Sequence, residues 1–372
     1  MDRQTHLGMD HAATRDELDY CRQCPTIVGV GTAVPPNSVS QTDLLTALQV
    51  DDPRVRSIFL RGGIERRNLC LPHPGADLRL SEESQAELLA KHLSVGLRLG
   101  TQAIDACLAR ADARYADIRH LCCVSSTGFI IPGLSALLIK TLGLPVNCSR
   151  LDVVGMGCNA GLNALSSVSA WTSKHPGELA IMVCIEVCSA MYVFETDLAS
   201  AVVNSLFGDG AAALAVISGG GSYGRKGPRL LDFSSHLVPE ASQAMRIEWS
   251  ESHGKFKFCL DPRVPYVVGE HSPTAVGRLL NGTGIALSDV THWIVHSGGR
   301  KVIDAVRVNL GLTRMDVRHT LNVLRDHGNV SSASFLFSYE RLLLEGTTTS
   351  GDIGVMMTMG PGTSIETALL KW

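Results

Sequence analysis

Cys158 stands in the stretch Val153-Val154-Gly155-Met156-Gly157-Cys158-Asn159-Ala160-Gly161. The apolar residues predict a strand, the glycines a sharp turn, and the small residues after them the start of a helix. A thiol placed at a helix N-terminus meets exposed backbone N–H groups and the positive end of the helix dipole, and both favour a thiolate. His296 precedes Ser297-Gly298-Gly299. A strand that ends there holds the ring at its carboxyl end, where α/β proteins usually carry their sites. Asn329 follows Asp326-His327-Gly328. An asparagine in that context is commonly an N-cap, and its amide can equally serve as a donor. Cys, His and Asn together permit three chemistries: peptide hydrolysis, thioester acyl transfer, or decarboxylative carbon–carbon bond formation on a thioester. An imidazole beside the thiol favours a thiolate–imidazolium pair, and His and Asn donors can hold an enolate or a tetrahedral oxyanion. No acidic base accompanies the three in the sequence. That suits decarboxylation, where loss of carbon dioxide generates the carbanion without proton abstraction.

Because 138 residues separate Cys158 from His296, the fold must bring them together. From residue 26 onward short apolar runs alternate with helical stretches. Strands are expected at 26–31, 120–125, 179–185, 211–217 and 293–296, and helices at 86–109, 135–142 and 160–173. That alternation argues an α/β fold with a largely buried sheet. The chain also echoes itself. Residues 117–128 read DIRHLCCVSSTG and residues 289–300 read DVTHWIVHSGGR. Cys158 follows Val124 by 34 residues, and Asn329 follows His296 by 33. Each half closes on a glycine turn, Phe207-Gly208-Asp209-Gly210 and Met359-Gly360-Pro361-Gly362. A repeat of this length is a duplicated domain. Two halves related by a pseudo-two-fold axis would set Cys158 and Asn329 at equivalent helix starts, with His296 nearby. The expected division is a polar arm over 1–24, one half over 25–217 and a second over 228–372, joined by the Gly-rich segment 218–228.

Composition narrows the class. The 372 residues are 45% apolar and 19% charged, enough to bury a large core. Net charge is −3, the basic residues are scattered and aromatics make up 5%, so no nucleic-acid footprint is present. The longest apolar runs, 179–185 and 211–217, fall well short of the ~18 residues of a membrane helix. Eleven cysteines and a charged N-terminal arm without an apolar core predict reduced thiols in a cytoplasmic protein. Cys21 and Cys24 form a C-x-x-C without a second ligand pair, and His292 shares its strand with His296 without a third ligand. No metal site is therefore expected.

The segments GMGCNAGLNAL (155–165), LFGDGAAAL (206–214), WIVHSGGRKVIDAV (293–306), HGNVSSASFLF (327–337) and MGPGTSIE (359–366) resemble the type III polyketide synthases of the chalcone-synthase kind, over roughly 26–372. The resemblance implies a thiolase-like fold, duplicated and layered α-β-α-β-α, in a homodimer. It implies that Cys158 carries the acyl chain while His296 and Asn329 activate malonyl-CoA, with no cofactor beyond the coenzyme A thioester. Phe207 and Phe258 match gating phenylalanines. Ser126, Thr127, Cys188 and Met191 match the starter pocket, and Gly360, Pro361 and Gly362 border the tunnel. Arg54 and Arg61 match coenzyme A phosphate contacts, Ser57 replaces a usual arginine, and Arg300 and Lys301 are candidate substitutes. Stretches such as DPRVPYVVG and LCCVSSTGF resemble a bacterial subfamily that joins four malonyl units, one as starter, and closes them into an aromatic ring. Its product feeds dihydroxyphenylglycine of glycopeptide antibiotics. The rival readings are an initiating β-ketoacyl-carrier-protein synthase, a hydroxymethylglutaryl-CoA synthase with an added glutamate, and a silent partner subunit.

Overall fold

The computed structural model describes residues 24–73, 80–191, 198–219, 223 and 227–372. Cys21, most of the N-terminal arm and most of the Gly-rich segment lie outside the described residues. A nine-stranded sheet is built from β1 (Thr26–Ala33), β4 (Ile118–Val124), β5 (Ser149–Val153), β6 (Leu179–Glu186), β7 (Gly210–Ile217), β8 (Arg229–Leu237), β11 (Val290–Val295), β12 (Ile353–Gly360) and β13 (Ser364–Lys371). The short strands β2 (Ser38–Ser40) and β3 (Arg66–Asn68) pair with each other, as do β9 (Met245–Ser250) and β10 (Lys255–Leu260). The order β11-β12-β13-β8-β1-β7-β6-β4-β5 reads symmetrically outward from its middle. On one side β1 pairs antiparallel with β7, β7 antiparallel with β6, and β6 parallel with β4. On the other, β8, β13, β12 and β11 repeat those senses in turn. The sides meet at one register pair, Thr26 with Arg229. This is the expected duplication about a pseudo-two-fold axis.

Alternation along the buried strands sorts the layers. In β6, Ala180, Met182 and Cys184 face a central core with α5 (Ala160–Lys174) and α10 (Ser334–Glu345). Ile181, Val183 and Ile185 face the opposite way, onto α3 (Gln85–Ala111) and α4 (Leu134–Leu142). In β12, Met356 faces the central core, and Val355 and Met357 face α7 (Val264–Leu280), α8 (Arg300–Asn309) and α9 (Arg318–His327). The layers therefore run helix, sheet, helix, sheet, helix. Near the amino end, α1 (Gln41–Ala47) and α2 (Pro53–Arg61) pack beside α6 (Leu198–Leu206).

The long helix α3 starts on a reciprocal cap. Ser84 Oγ accepts from the Glu87 N–H, and the Glu87 carboxylate accepts from the Ser84 N–H at 2.7 Å. It lies unusually close to β1: a Cβ on Gly31 would stand 2.3 Å from Cys107 N and 2.5 Å from Ala103 O. Exposed Gly277, inside α7, has nothing within 4 Å of its Cβ position. Gly31→Ala is expected to lose about 1–3 kcal/mol or more by overpacking, whereas Gly277→Ala gains about 0.4–1 kcal/mol. Opposite shifts in the urea unfolding midpoint check this contrast, and equal shifts contradict it.

Candidate active site

Cys158 sits in a 3₁₀ turn, Gly157–Asn159, that runs directly into α5. Gly155 and Gly157 adopt φ of 82° and 69°, which bends the chain out of β5 and presents the thiol. Close approach sets the turn against its counterparts in the other half. A Cβ on Gly157 would meet Pro361 at 2.3 Å, and one on Gly360 would meet Asn159 N at 2.7 Å. Ser331–Ala333 forms the matching 3₁₀ turn ahead of α10, and a Cβ on Gly161 would lie 2.5 Å from Ser332 O. The two turns thus meet at the axis, with Cys158 Sγ 3.6 Å from Ser331 Oγ; the position equivalent to Cys158 is Ser332, not Asn329, which lies just ahead of the second turn.

Asn329 is 2% exposed and its amide is oriented by the backbone. Its Oδ1 accepts from Ser331 N at 2.8 Å and Ser334 Oγ at 3.3 Å. The NH₂ group is left to donate, and it contributes to lowering the pKa of the Cys158 thiol. His296 follows β11 directly and extends its ladder by donating its backbone N–H to Met357 O at 2.9 Å. The ring is buried and Nδ1 has no hydrogen-bond partner. His292 is a structural tie: its Nε2 lies 2.8 Å from Asp352 Oδ2, and its ring packs edge-on to Trp372. Among the described residues no group of three or more His, Cys, Asp or Glu is placed to hold a metal ion.

Two cavities meet at the thiol. The outer one, about 660 Å³, carries His296 and Asn329, with Ser57, Arg61, Arg300 and Lys301 also on its wall. The inner one, about 710 Å³, is lined by Ser126, Thr127, Cys188, Met191, Ser331, Pro361 and Gly362 among others. Only Cys158, Phe207, Met245 and Phe258 border both, among the described residues. Phe207 and Phe258 face each other edge to face, with ring centroids 5.4 Å apart. Gly360 lines neither cavity and instead supports the turn of Cys158. Arg54 is also elsewhere: its side chain is 77% exposed and is held by Asp52 at 3.0 Å. A helix-start position two turns from Arg61 does not place it on the cavity wall.

Burial opposes the expected thiolate. Burial pushes the Cys158 thiol up to about 12, and the Glu186 carboxylate adds to the rise. Hydrogen bonds from Ser331 and Asn329 oppose this but do not offset it. Burial likewise drives the His296 imidazole down to about 3. Desolvation therefore works against charge on both groups, in opposition to the help of the helix start. Glu186 corrects a second expectation, since an acidic group does stand behind the thiol. It is fully buried at the end of β6, accepts from Ser126 N at 3.0 Å, and also accepts from Ser332 Oγ. Burial raises it to about 7. Nothing in the sequence separates Glu186 from the polar end of an apolar strand, so only the long-range partners reveal it.

The sequence matches the family model for chalcone and stilbene synthases, N-terminal domain, over residues 73–221 and the C-terminal domain over 230–372. It is 59% identical to a 3,5-dihydroxyphenylacetyl-CoA synthase of Streptomyces toyocaensis over 94% of this chain and 90% of that one. It is 54% identical to the corresponding synthase of Amycolatopsis orientalis over the full length of both. The crystal structure of 1,3,6,8-tetrahydroxynaphthalene synthase from Streptomyces coelicolor superposes with a TM-score of 0.85 at 27% identity, covering 93% of this chain and 99% of that one.

Removal of the negative charge behind the thiol gives a test of these electrostatics. Glu186→Gln keeps an acceptor for Ser332 and removes a charge that opposes the thiolate. The pH profile of Cys158 alkylation is expected to move to lower pH than in the wild type. An unchanged or upward-shifted profile would contradict the assigned influence of Glu186.

Proposed function

The chain belongs to the chalcone and stilbene synthase family, and from that premise we propose how its site builds a polyketide. It is a type III polyketide synthase that acts on malonyl-CoA, and the product supported by its relatives is 3,5-dihydroxyphenylacetyl-CoA. Four malonyl units, one of them as starter, supply the chain; the three extenders lose carbon dioxide on condensation, the starter carboxylate leaves as carbon dioxide as well, and an aldol-type closure followed by loss of water and aromatisation forms the ring. The observation that carries this reading is the pair of cavities joined at Cys158. The outer has donors for a thioester, and the inner has room for a growing chain.

The Cys158 sulfur attacks the thioester carbonyl of malonyl-CoA. As the new S–C bond forms, the thiol proton passes to the neutral His296 imidazole, and coenzyme A leaves as its thiol. Because burial resists a free thiolate, proton transfer and attack are coupled in this account. An extender malonyl-CoA then occupies the outer cavity with its thioester oxygen toward His296 and the Asn329 amide. Loss of carbon dioxide leaves the electron pair on the α-carbon, delocalised as an enolate that the two donors stabilise. That carbon attacks the acyl group on Cys158, a C–C bond forms, the C–S bond breaks and the sulfur is freed. The lengthened coenzyme A ester reloads Cys158 for the next extension. No redox step or cofactor enters, since decarboxylation alone supplies the carbanion.

Arg61, Arg300 and Lys301 on the outer wall are the charges suited to coenzyme A phosphates. Phe207 and Phe258 form the waist through which the chain passes. Ser126, Thr127, Cys188 and Met191 bound the inner space, about 710 Å³, that would take up the malonyl-derived chain. Exposed Phe129 and Val154 border that inner cavity, and Ile131 nearby is 85% exposed. Covering these apolar groups supports a homodimer. Among the described residues no helix is long and apolar enough to cross a membrane.

Malonyl-CoA as sole substrate is expected to give an aromatic coenzyme A ester identifiable by mass and NMR. Cys158→Ala with radiolabelled malonyl-CoA is expected to lose both the protein-bound label and the ring product. Undiminished aromatic product from that variant would remove Cys158 from the mechanism.

A further inference from the structure

Arg67 is the largest of the almost fully buried side chains, at 1% exposure. Its guanidinium joins several parts of the site. Nη1 donates to the carbonyl of Phe207 at 2.6 Å, and Nη2 donates to Gln41 Oε1 at 2.8 Å. Gln41 is itself buried. Its Nε2 donates to Ser205 O at 2.8 Å and to Phe59 O at 3.3 Å, at the end of the entrance helix α2. The Phe207 segment is in turn stitched to Asn329. Asn329 N donates to Leu206 O at 2.9 Å, and Gly208 N donates to Asn329 O at 3.0 Å. Contact is tight on this side as well: a Cβ on Gly328 would lie 2.8 Å from Arg67 Cδ, and one on Gly208 would lie 2.2 Å from His327 O.

Burying a guanidinium is costly, and an apolar side chain could fill the volume. What an apolar side chain could not supply is a planar fork that holds two acceptors at fixed separation. One acceptor carries the waist phenylalanine, and the other leads to α2, whose Ser57 and Arg61 line the outer cavity. We propose that Arg67 is a positioning residue. It holds Phe207 and Asn329 in one register and, through Gln41, ties both to the entrance helix. The proposal rests on the reading that Phe207 and Asn329 serve the condensation. Its consequence is that Arg67 governs how many extensions precede ring closure, although it touches no substrate.

Two variants separate positioning from bulk stability. Arg67→Lys keeps the charge but loses the fork. Gln41→Glu keeps an acceptor for Arg67 but loses both donors, to Phe59 O and Ser205 O. The first readout is the rate at which iodoacetamide alkylates Cys158, which requires no assumption about substrate. The second is turnover of malonyl-CoA with the ratio of aromatic product to short released chains. In Arg67→Lys, kcat is expected to fall ~10–100-fold, the scale of a small misplacement of reacting groups, with KM little changed. Short products should rise and the alkylation rate should change in both variants. Combined with Phe207→Leu, Arg67→Lys should add no more than about twofold to the larger single loss, because the two act on one element. Wild-type alkylation and product ratios in both variants, or fully additive losses, would overturn the proposal. If Arg67→Lys is not recovered folded by circular dichroism, Gln41→Glu decides on the same readouts. A wild-type enzyme that makes no aromatic product would count against the assigned function, while the alkylation rates would still decide the role of Arg67.

Discussion

The site depends on backbone meeting backbone at distances that a side chain would forbid. Gly157 lies under Pro361, Gly360 over the amide of Asn159, Gly161 against Ser332 and Gly208 against His327. Each contact joins one half of the chain to the other. Without them the two helix starts could not share an axis, and Cys158, His296 and Asn329 would belong to separate surfaces. The long buried sheet serves this end. Its mirrored strand order delivers one reactive turn from each half to the same point, and the central helix layer fixes their depth.

Depth has an electrostatic cost that the reaction turns to use. Burial of the thiol and the imidazole works against charge on either, which restrains the thiol toward stray electrophiles. In the proposed mechanism charge appears as bonds form, where donors already in place receive it. The oriented amide of Asn329 illustrates the point, because its acceptor side is spent on Ser331 and Ser334 before substrate arrives.

Much of this was legible in the sequence, and what was not has a physical reason. The repeat of strand, turn and helix start is local, so composition and spacing revealed it, together with the three residues proposed to act there. The expected helix 160–173 and strand 179–185 match the observed elements within a residue. Glu186 and Arg67 escaped because their partners lie 146 and 140 residues away. In the sequence each reads as an ordinary charge at the end of a short element. The opposing effect of burial on the thiolate was not legible either, because dipole and imidazole are local signals, whereas desolvation is a property of the whole fold. Arg54 has a nearer partner, Asp52, which no count of basic residues would show.

The narrow seam between the two cavities carries a consequence for how such proteins diversify. The wall that handles the thioester and the wall that shapes the chain have only Cys158, Phe207, Met245 and Phe258 in common among the described residues. Substitutions that enlarge or pinch the inner space away from Ser331, which orients Asn329, are expected to leave activation of the building block intact. Descendants of such a chain can inherit one chemistry and explore many products, with most of the variation confined to one side of a four-residue doorway.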